Sequence, residues 1–161
     1  MTAISTNEIR SMQIADIAAV AKFVSATPLW QRYGVTEQSI SERLANGLKG
    51  DAKIVVAEQD AEILGFVWAA ENGAFARDVY IPLIGVNPES RSHGVGKILL
   101  DYVEQILFGR PRDVFLLVSD FNTDANRFYQ KCGYSEIGRI PNYVLPGVAE
   151  LIYWKQAPKR T

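Results

Sequence analysis

The stretch GVNPESRSHGVGKILLD, Gly85 to Asp101, constrains this chain more than any other. A β-type run ends at Val86, a polar loop follows with glycines at 94 and 96, and a regular amphipathic helix begins there. A helix start carries unpaired N–H groups and a partial positive charge. Glycines beside it let the backbone take unusual φ values and approach a ligand closely, which makes an anion site of the phosphate type. Arg91 adds a charge at its rim. Two phosphate motifs are excluded. A P-loop requires glycine at 91 and Ser or Thr at 98, where the chain has Arg91 and Ile98. A dinucleotide fingerprint requires a third glycine at 99, where it has Leu99.

On either side, hydrophobic periodicity predicts a mixed α/β domain in the order β-α-α-β-β-β-α-β-α-β-β, a single domain over 1–161. A first strand spans Ser5 to Met12. Asp16 is expected to cap a helix from Ile17 to about Ser25. TPLWQRYG, Thr27 to Gly34, reads as a loop or broken turn. Thr36 caps a second helix reaching about Lys49, where Gly47 and Gly50 suit a helix end. AKIVVAE and EILGFVWAAE form a hairpin. The next strand, RDVYIPLIGV, contains Pro82, which marks an edge or a bulge. Val95, Ile98, Leu99, Tyr102, Val103, Ile106 and Leu107 keep helical spacing. A short buried strand, a helix closed by Gly133 and two final strands complete the chain.

The chain's 161 residues carry a formal net charge of -1, which argues against a nucleic-acid partner. The basic residues Lys155, Lys159 and Arg160 read as a solvated tail. One cysteine, Cys132, and one histidine, His93, provide neither an internal disulfide nor a usual zinc site, so no metal is expected. No secretory signal and no membrane-length apolar run is visible, so a cytoplasmic location and no membrane partner are expected.

Arg91, Ser92, His93, Gly94, Val95 and Gly96 form Arg-x-x-Gly-x-Gly after a strand and before a helix. This resembles the coenzyme A loop of the GNAT superfamily of N-acyltransferases. NTDANRFYQKCGY, Asn122 to Tyr134, resembles the second signature of that family, with Asn122, Ala125, Phe128, Tyr129, Gly133 and Tyr134 at the matching places. The opening IRSMQIADIAAVAKFV resembles its first strand and helix. The resemblance covers nearly the whole chain.

The resemblance implies a central, mostly antiparallel sheet of about seven strands, splayed between the fourth and fifth, with about four helices. It implies an acetyl-CoA-dependent N-acetyltransferase that acts by direct attack of a primary amine in a ternary complex. The alternative is an acyl-CoA-binding sensor without turnover. The acceptor would be a small-molecule amine or a peptide or protein amine, and a homodimer is one assembly that relatives adopt.

It also implies roles for residues. Main-chain groups of Ile84 and Val86 would pair with the pantetheine arm. The N–H groups of Arg91 to Gly96 would hold the pyrophosphate, with Lys97 adding charge and His93 near phosphate or ribose. Asn122 would cap its helix or bond the pantetheine amide. Tyr129 would protonate the leaving thiolate. Some relatives carry a glutamate base on the fourth strand. The chain has Tyr80 there, with Asp78 two residues earlier on the same face, so Asp78, Tyr80 or a water chain is left for that role. Trp30, Tyr33, Tyr80 and Tyr143 would line the acceptor groove. Cys132 reads as packing.

Overall fold

The structure, a computed structural model, describes residues 8–158. Its strands are β1 (Ile9–Ser11), β2 (Lys53–Gln59), β3 (Glu62–Ala74), β4 (Asp78–Val86), β5 (Val114–Ser119), β6 (Ser135–Pro141) and β7 (Ala149–Lys155). Its helices are α1 (Ile17–Ser25), α2 (Pro28–Arg32), α3 (Glu37–Lys49), α4 (Val95–Gln105) and α5 (Thr123–Lys131). The seven strands lie in the order β1-β2-β3-β4-β5-β7-β6, antiparallel except for the β4–β5 pair. The expected strands and sheet are present in the expected order, with one short helix, α2, added between the first two expected helices. The expected strand residues 5–7 lie outside the described residues, as do Lys159 and Arg160.

The sheet separates two cores. Val79, Ile81, Leu99, Val103, Val114, Leu116, Tyr129 and Tyr153 pack on the α4–α5 face. Val20, Val24, Ile40, Leu44, Ile54, Phe66 and Leu83 pack on the α1–α3 face. Alternation along each strand divides the residues between the faces. The assignment of Val79 and Ile81 to one face and Leu83 to the other shows that alternation breaks at Pro82. The register explains it: Tyr80 pairs with Ala70 and Leu83 with Trp68, so Ile81 and Pro82 together oppose Ala69. This is a β-bulge, one of the two places a proline fits in a sheet. The parallel pairing of β4 with β5 covers only Val79–Ile81 against Val114–Leu116. It stops where the bulge begins, and the rest of the two strands is unpaired with each other. Splay and proline therefore coincide.

Several local expectations are corrected. Asp16 makes no side-chain cap to α1. Its carboxylate instead accepts from Gln13 N–H at 2.7 Å and from two nitrogens of Arg10 at 2.7 and 2.9 Å. TPLWQRYG is not merely a loop, because Pro28 stands in the first turn of α2, where its missing N–H costs nothing. Gly47 lies inside α3, where a Cβ would come within 2.5 Å of the Trp68 ring, so close packing requires this glycine. Gly50 caps α3 with an ordinary negative φ. Ile106 is exposed and leaves the helical stripe. Lys155 is no solvated tail, since its ammonium pairs with the buried Glu104 carboxylate. Thr36 does cap α3, accepting from Ser39 N–H at 3.0 Å.

The Asp16 contacts carry a stability prediction. Arg10 holds the Asp16 carboxyl below the usual carboxylate range. The stabilisation is full above the unfolded value near 4 and is lost as pH falls through the lower folded value. Asp16→Ala should cost about 1–2 kcal/mol at pH 7 in urea unfolding, and clearly less at pH 3. An equal loss at both pH values would refute the ionic origin.

Candidate active site

The unpaired halves of β4 and β5 open into a cleft of about 930 Å³. One wall is β4. Asn87 N–H donates to Leu64 O at 2.8 Å, beside the Val86–Gly65 pair. That bond makes Val86–Gly65, and by alternation Ile84–Val67, pairs that exchange no hydrogen bonds. The main-chain N–H and C=O groups of Ile84 and Val86 therefore point away from β3, toward the gap. Both residues line the cleft.

A second wall is the glycine loop. Ser90 is almost fully buried, and Ser92 and Gly94 have φ of +70° and +77°. Successive N–H groups in such a turn converge on a common point, as they do in anion-binding nests. Gly94 is the α4 N-cap, and a Cβ on it would meet nothing within 4 Å. Its glycine is required by backbone conformation and leaves the loop open to a ligand. Gly96 differs. A Cβ there would approach the Phe128 ring to 3.0 Å, so Gly96 seats α4 against α5. The first α4 turn has its usual orphan N–H groups, and the N–H of Ile98 is the one that reaches Gly94 O, at 3.1 Å.

The sequence of α5 builds the third wall. Asn122 accepts from Ala125 N–H at 3.2 Å, which is the cap reading, and its side chain also borders the cleft. Tyr129 follows about two turns later. Its ring packs against Tyr134 and Tyr153. Burial holds its phenol well above the ordinary value of about 10. No hydrogen bond to this hydroxyl occurs among the described residues. No fully buried side-chain oxygen there lacks a partner, so the Tyr129 hydroxyl meets the open space of the cleft. It is a protonated donor at neutral pH with nothing yet to donate to.

Arg91, Ser92, Gly94, Val95, Gly96, Lys97 and Trp30 also line this cleft. Lys97 is exposed and pairs with Asp101 at 2.6 Å. Sequence reasoning missed Arg127 and Lys131, which border the same cleft. Their spacing of four on α5 was the available signal. With Arg91 and Lys97 they outnumber Asp124, the acidic residue of the lining, so the cleft suits a polyanion.

The remaining expected site residues are divided between this cleft and other places. His93 is exposed and outside the cleft lining. Asp78 begins β4, on the paired side of the bulge, and faces Arg77 at 3.6 Å. Tyr80 lies opposite Phe115, also before the splay. Burial raises its phenol above the usual value, and Tyr143 and Glu150 add to that while Arg43 opposes it. Tyr143 is exposed on the β6–β7 connection. Trp30 belongs to the cleft beside the glycine loop and also packs on the α1–α3 core. Tyr33 stacks on Phe121 and bonds to Ser119 and Glu150. Cys132 is half-buried and packs against the α4–α5 core. No cluster of three or more His, Cys, Asp or Glu suited to a metal exists among the described residues. No described helix is long and apolar enough to cross a membrane.

Comparison with known proteins agrees with this geometry. The model of the Acetyltransferase (GNAT) family matches residues 14–134. A mycothiol acetyltransferase of Mycolicibacterium gilvum is 30% identical over 129 residues, which is 74% of this chain and 42% of the relative. A 5-NmdU N-acetyltransferase of Pseudomonas phage PaMx11 is 33% identical over 85 residues, 53% of this chain and 59% of that protein. The chain thus spans less than half the length of the mycothiol enzyme it matches. Among solved structures, an aminoglycoside 6'-N-acetyltransferase complexed with coenzyme A superposes with a TM-score of 0.78 at 16% identity, covering 95% of this chain and 98% of that one. A strand pair that splays at a bulge, a glycine loop at the head of α4 and a family model spanning both lead to one assignment: the chain belongs to the acetyltransferase (GNAT) family.

Proposed function

We propose that this chain is an N-acetyltransferase that passes an acetyl group from acetyl-CoA to a primary amine by direct attack in a ternary complex. The observation that carries the reading is the meeting, in one cleft, of gap-facing β4 main-chain groups, a basic glycine loop and the unpartnered phenol of Tyr129. The residues fit coenzyme A. Ile84 and Val86 offer main-chain donors and acceptors to the amides of a pantetheine arm. The loop from Arg91 to Gly96 and the α4 start offer N–H groups to a pyrophosphate, with Lys97 and Arg127 adding charge. Asn122 caps α5 and would border the arm.

Bound acetyl-CoA supplies a thioester, whose carbonyl must be polarised and whose sulfur must leave protonated. A gap-facing N–H of β4 would donate to the carbonyl oxygen, as an oxyanion hole does. Tyr129 holds the proton for the sulfur. The amine acceptors named for structural neighbours, an aminoglycoside and spermidine, support an amine as the nucleophile.

Acetyl-CoA at about 100 times its Kd should raise Tm by about 5 to 10 °C, with ATP and NAD far less effective. An equal shift with ATP would overturn the reading of the cleft. Free thiol release on adding amines then separates an enzyme from a silent acyl-CoA-binding domain.

A further inference from the structure

The β4 positions do not supply an evident proton acceptor on the splayed side of the bulge, but β7 carries one. Glu150 is 5% exposed. It lies opposite Ser119, three residues beyond the last β5 residue that pairs with β4. It therefore stands where β5 has left β4. Tyr33 donates its phenolic proton to Glu150, and a phenol has one proton. The contact between Tyr33 and Ser119 must then run from the serine hydroxyl to the Tyr33 oxygen. Ser119 orients Tyr33, and Tyr33 orients the carboxylate.

This carboxylate has no ion pair among the described residues, and its second oxygen makes no hydrogen bond there. That oxygen is not sealed in, because no fully buried side-chain oxygen lacks a partner. A nearly buried carboxylate with one hydrogen bond and no ion pair has a free oxygen on which a cationic group can seat. The cations and carboxylate nearest along the chain are already engaged. Arg32 is held 3.6 Å over the Phe121 ring, and Asp120 is occupied by Ala149 N–H and Arg139. The faces are also right. Tyr80 pairs with Phe115, which shares its face of β5 with Ser119, and Ser119 pairs with Glu150. Tyr129 packs with Leu116 and Val118 on the other face.

We propose that Glu150 binds the acceptor's ammonium group and receives its proton, with Ser119 and Tyr33 as positioning residues. The proposal rests on the amine-transfer reading above. The ammonium gives one proton to the Glu150 carboxylate. The neutral nitrogen then forms a C–N bond to the thioester carbonyl carbon as the C–S bond breaks, its electron pair leaving on sulfur. Tyr129 protonates that sulfur. The second nitrogen proton passes through solvent to restore Tyr129, and the Glu150 proton goes to solvent, so one proton is released per turnover. The acceptor approaches from one face of the sheet, and the sulfur is protonated from the other.

The test assays wild type, Glu150→Gln and Tyr33→Phe with spermidine, kanamycin and an alanine-initiated peptide, reading thiol release against pH. With the best acceptor, Glu150→Gln should lower kcat/KM by about a hundredfold and lose the acidic limb of the profile, with acetyl-CoA Kd unchanged. Tyr33→Phe should fold, keep the carboxylate and lower kcat/KM by a smaller factor while displacing that limb. A wild-type profile in Glu150→Gln overturns the proposal. So does a uniform loss at every pH with weakened acetyl-CoA binding, which marks a structural role. If Glu150→Gln does not fold, an undisplaced limb in Tyr33→Phe overturns it. If wild type acetylates none of the three amines, the amine-transfer reading fails separately. Calorimetric binding of spermidine to the coenzyme A-loaded protein then decides. Binding at least tenfold weaker without the carboxylate supports the ammonium site; equal binding, or none by wild type, overturns it.

Discussion

Tyr129→Phe should lower kcat by about tenfold or more while leaving acetyl-CoA Kd within about twofold. Phenylalanine keeps the ring that packs against Tyr134 and Tyr153 and removes the one atom of this side chain that faces the cleft without a partner. The hydroxyl makes no hydrogen bond within the described chain, so its removal breaks nothing there. Burial keeps the phenol protonated well past neutral pH, whereas a thiol ionises near 8.5. Tyr129 is thus a poor source of free protons, yet a donor to a thiolate formed beside it. General acid catalysis of this kind contributes about 10²- to 10⁴-fold, part of which a water in the vacated space recovers. An unchanged kcat would remove Tyr129 from the chemistry. A fall in Tm with unchanged kcat would assign it to packing.

Gly94→Val should abolish detectable acetyl-CoA binding in a titration while the domain remains folded. The position has φ of +77°, which a β-branched residue avoids, at a cost of roughly 1–2 kcal/mol. Space is not the obstacle within the protein, because a Cβ would meet nothing within 4 Å. The substitution therefore turns the loop and fills the opening where a phosphate would meet the N–H groups, and it leaves the core intact. Gly96→Val makes the contrasting control. A side chain there meets Phe128, so it should reduce Tm as well as binding. Wild-type affinity in Gly94→Val would show that the loop does not carry the phosphates.

Much of this was legible in the chain itself, because the signals were local. Helical spacing in Val95, Leu99 and Val103 and the cap at Thr36 arise from local geometry along the chain. The same holds for the glycine loop, whose shape depends on backbone conformation at Ser92 and Gly94. Ile84 and Val86 were placed from the family resemblance, and the β3–β4 register orients their main chains toward the gap. The turns at Asp60–Ala61 and Phe75–Ala76 take positive φ without glycine, so composition concealed how tightly those hairpins close.

What the sequence could not decide were matters of register and long-range pairing. Pro82 was open between an edge and a bulge; only the pairing of Ala69 against two residues of β4 decided for the bulge and tied it to the end of β4–β5 pairing. Gly47 read as a helix end and Gly96 as part of the anion loop, but contacts with Trp68 and Phe128 also require glycine at both positions. Asp78 stood out by its place on a motif strand, and its position on the paired side of the bulge set it apart from the cleft. Glu150 carried no signal at all, 72 residues further along in an ordinary alternating strand. Its environment comes from Tyr33, which follows α2, and Ser119 of β5, distant in sequence from β7. A carboxylate's chemistry depends on what desolvates it and what donates to it, and those partners are set by the sheet order, not by neighbours in the chain.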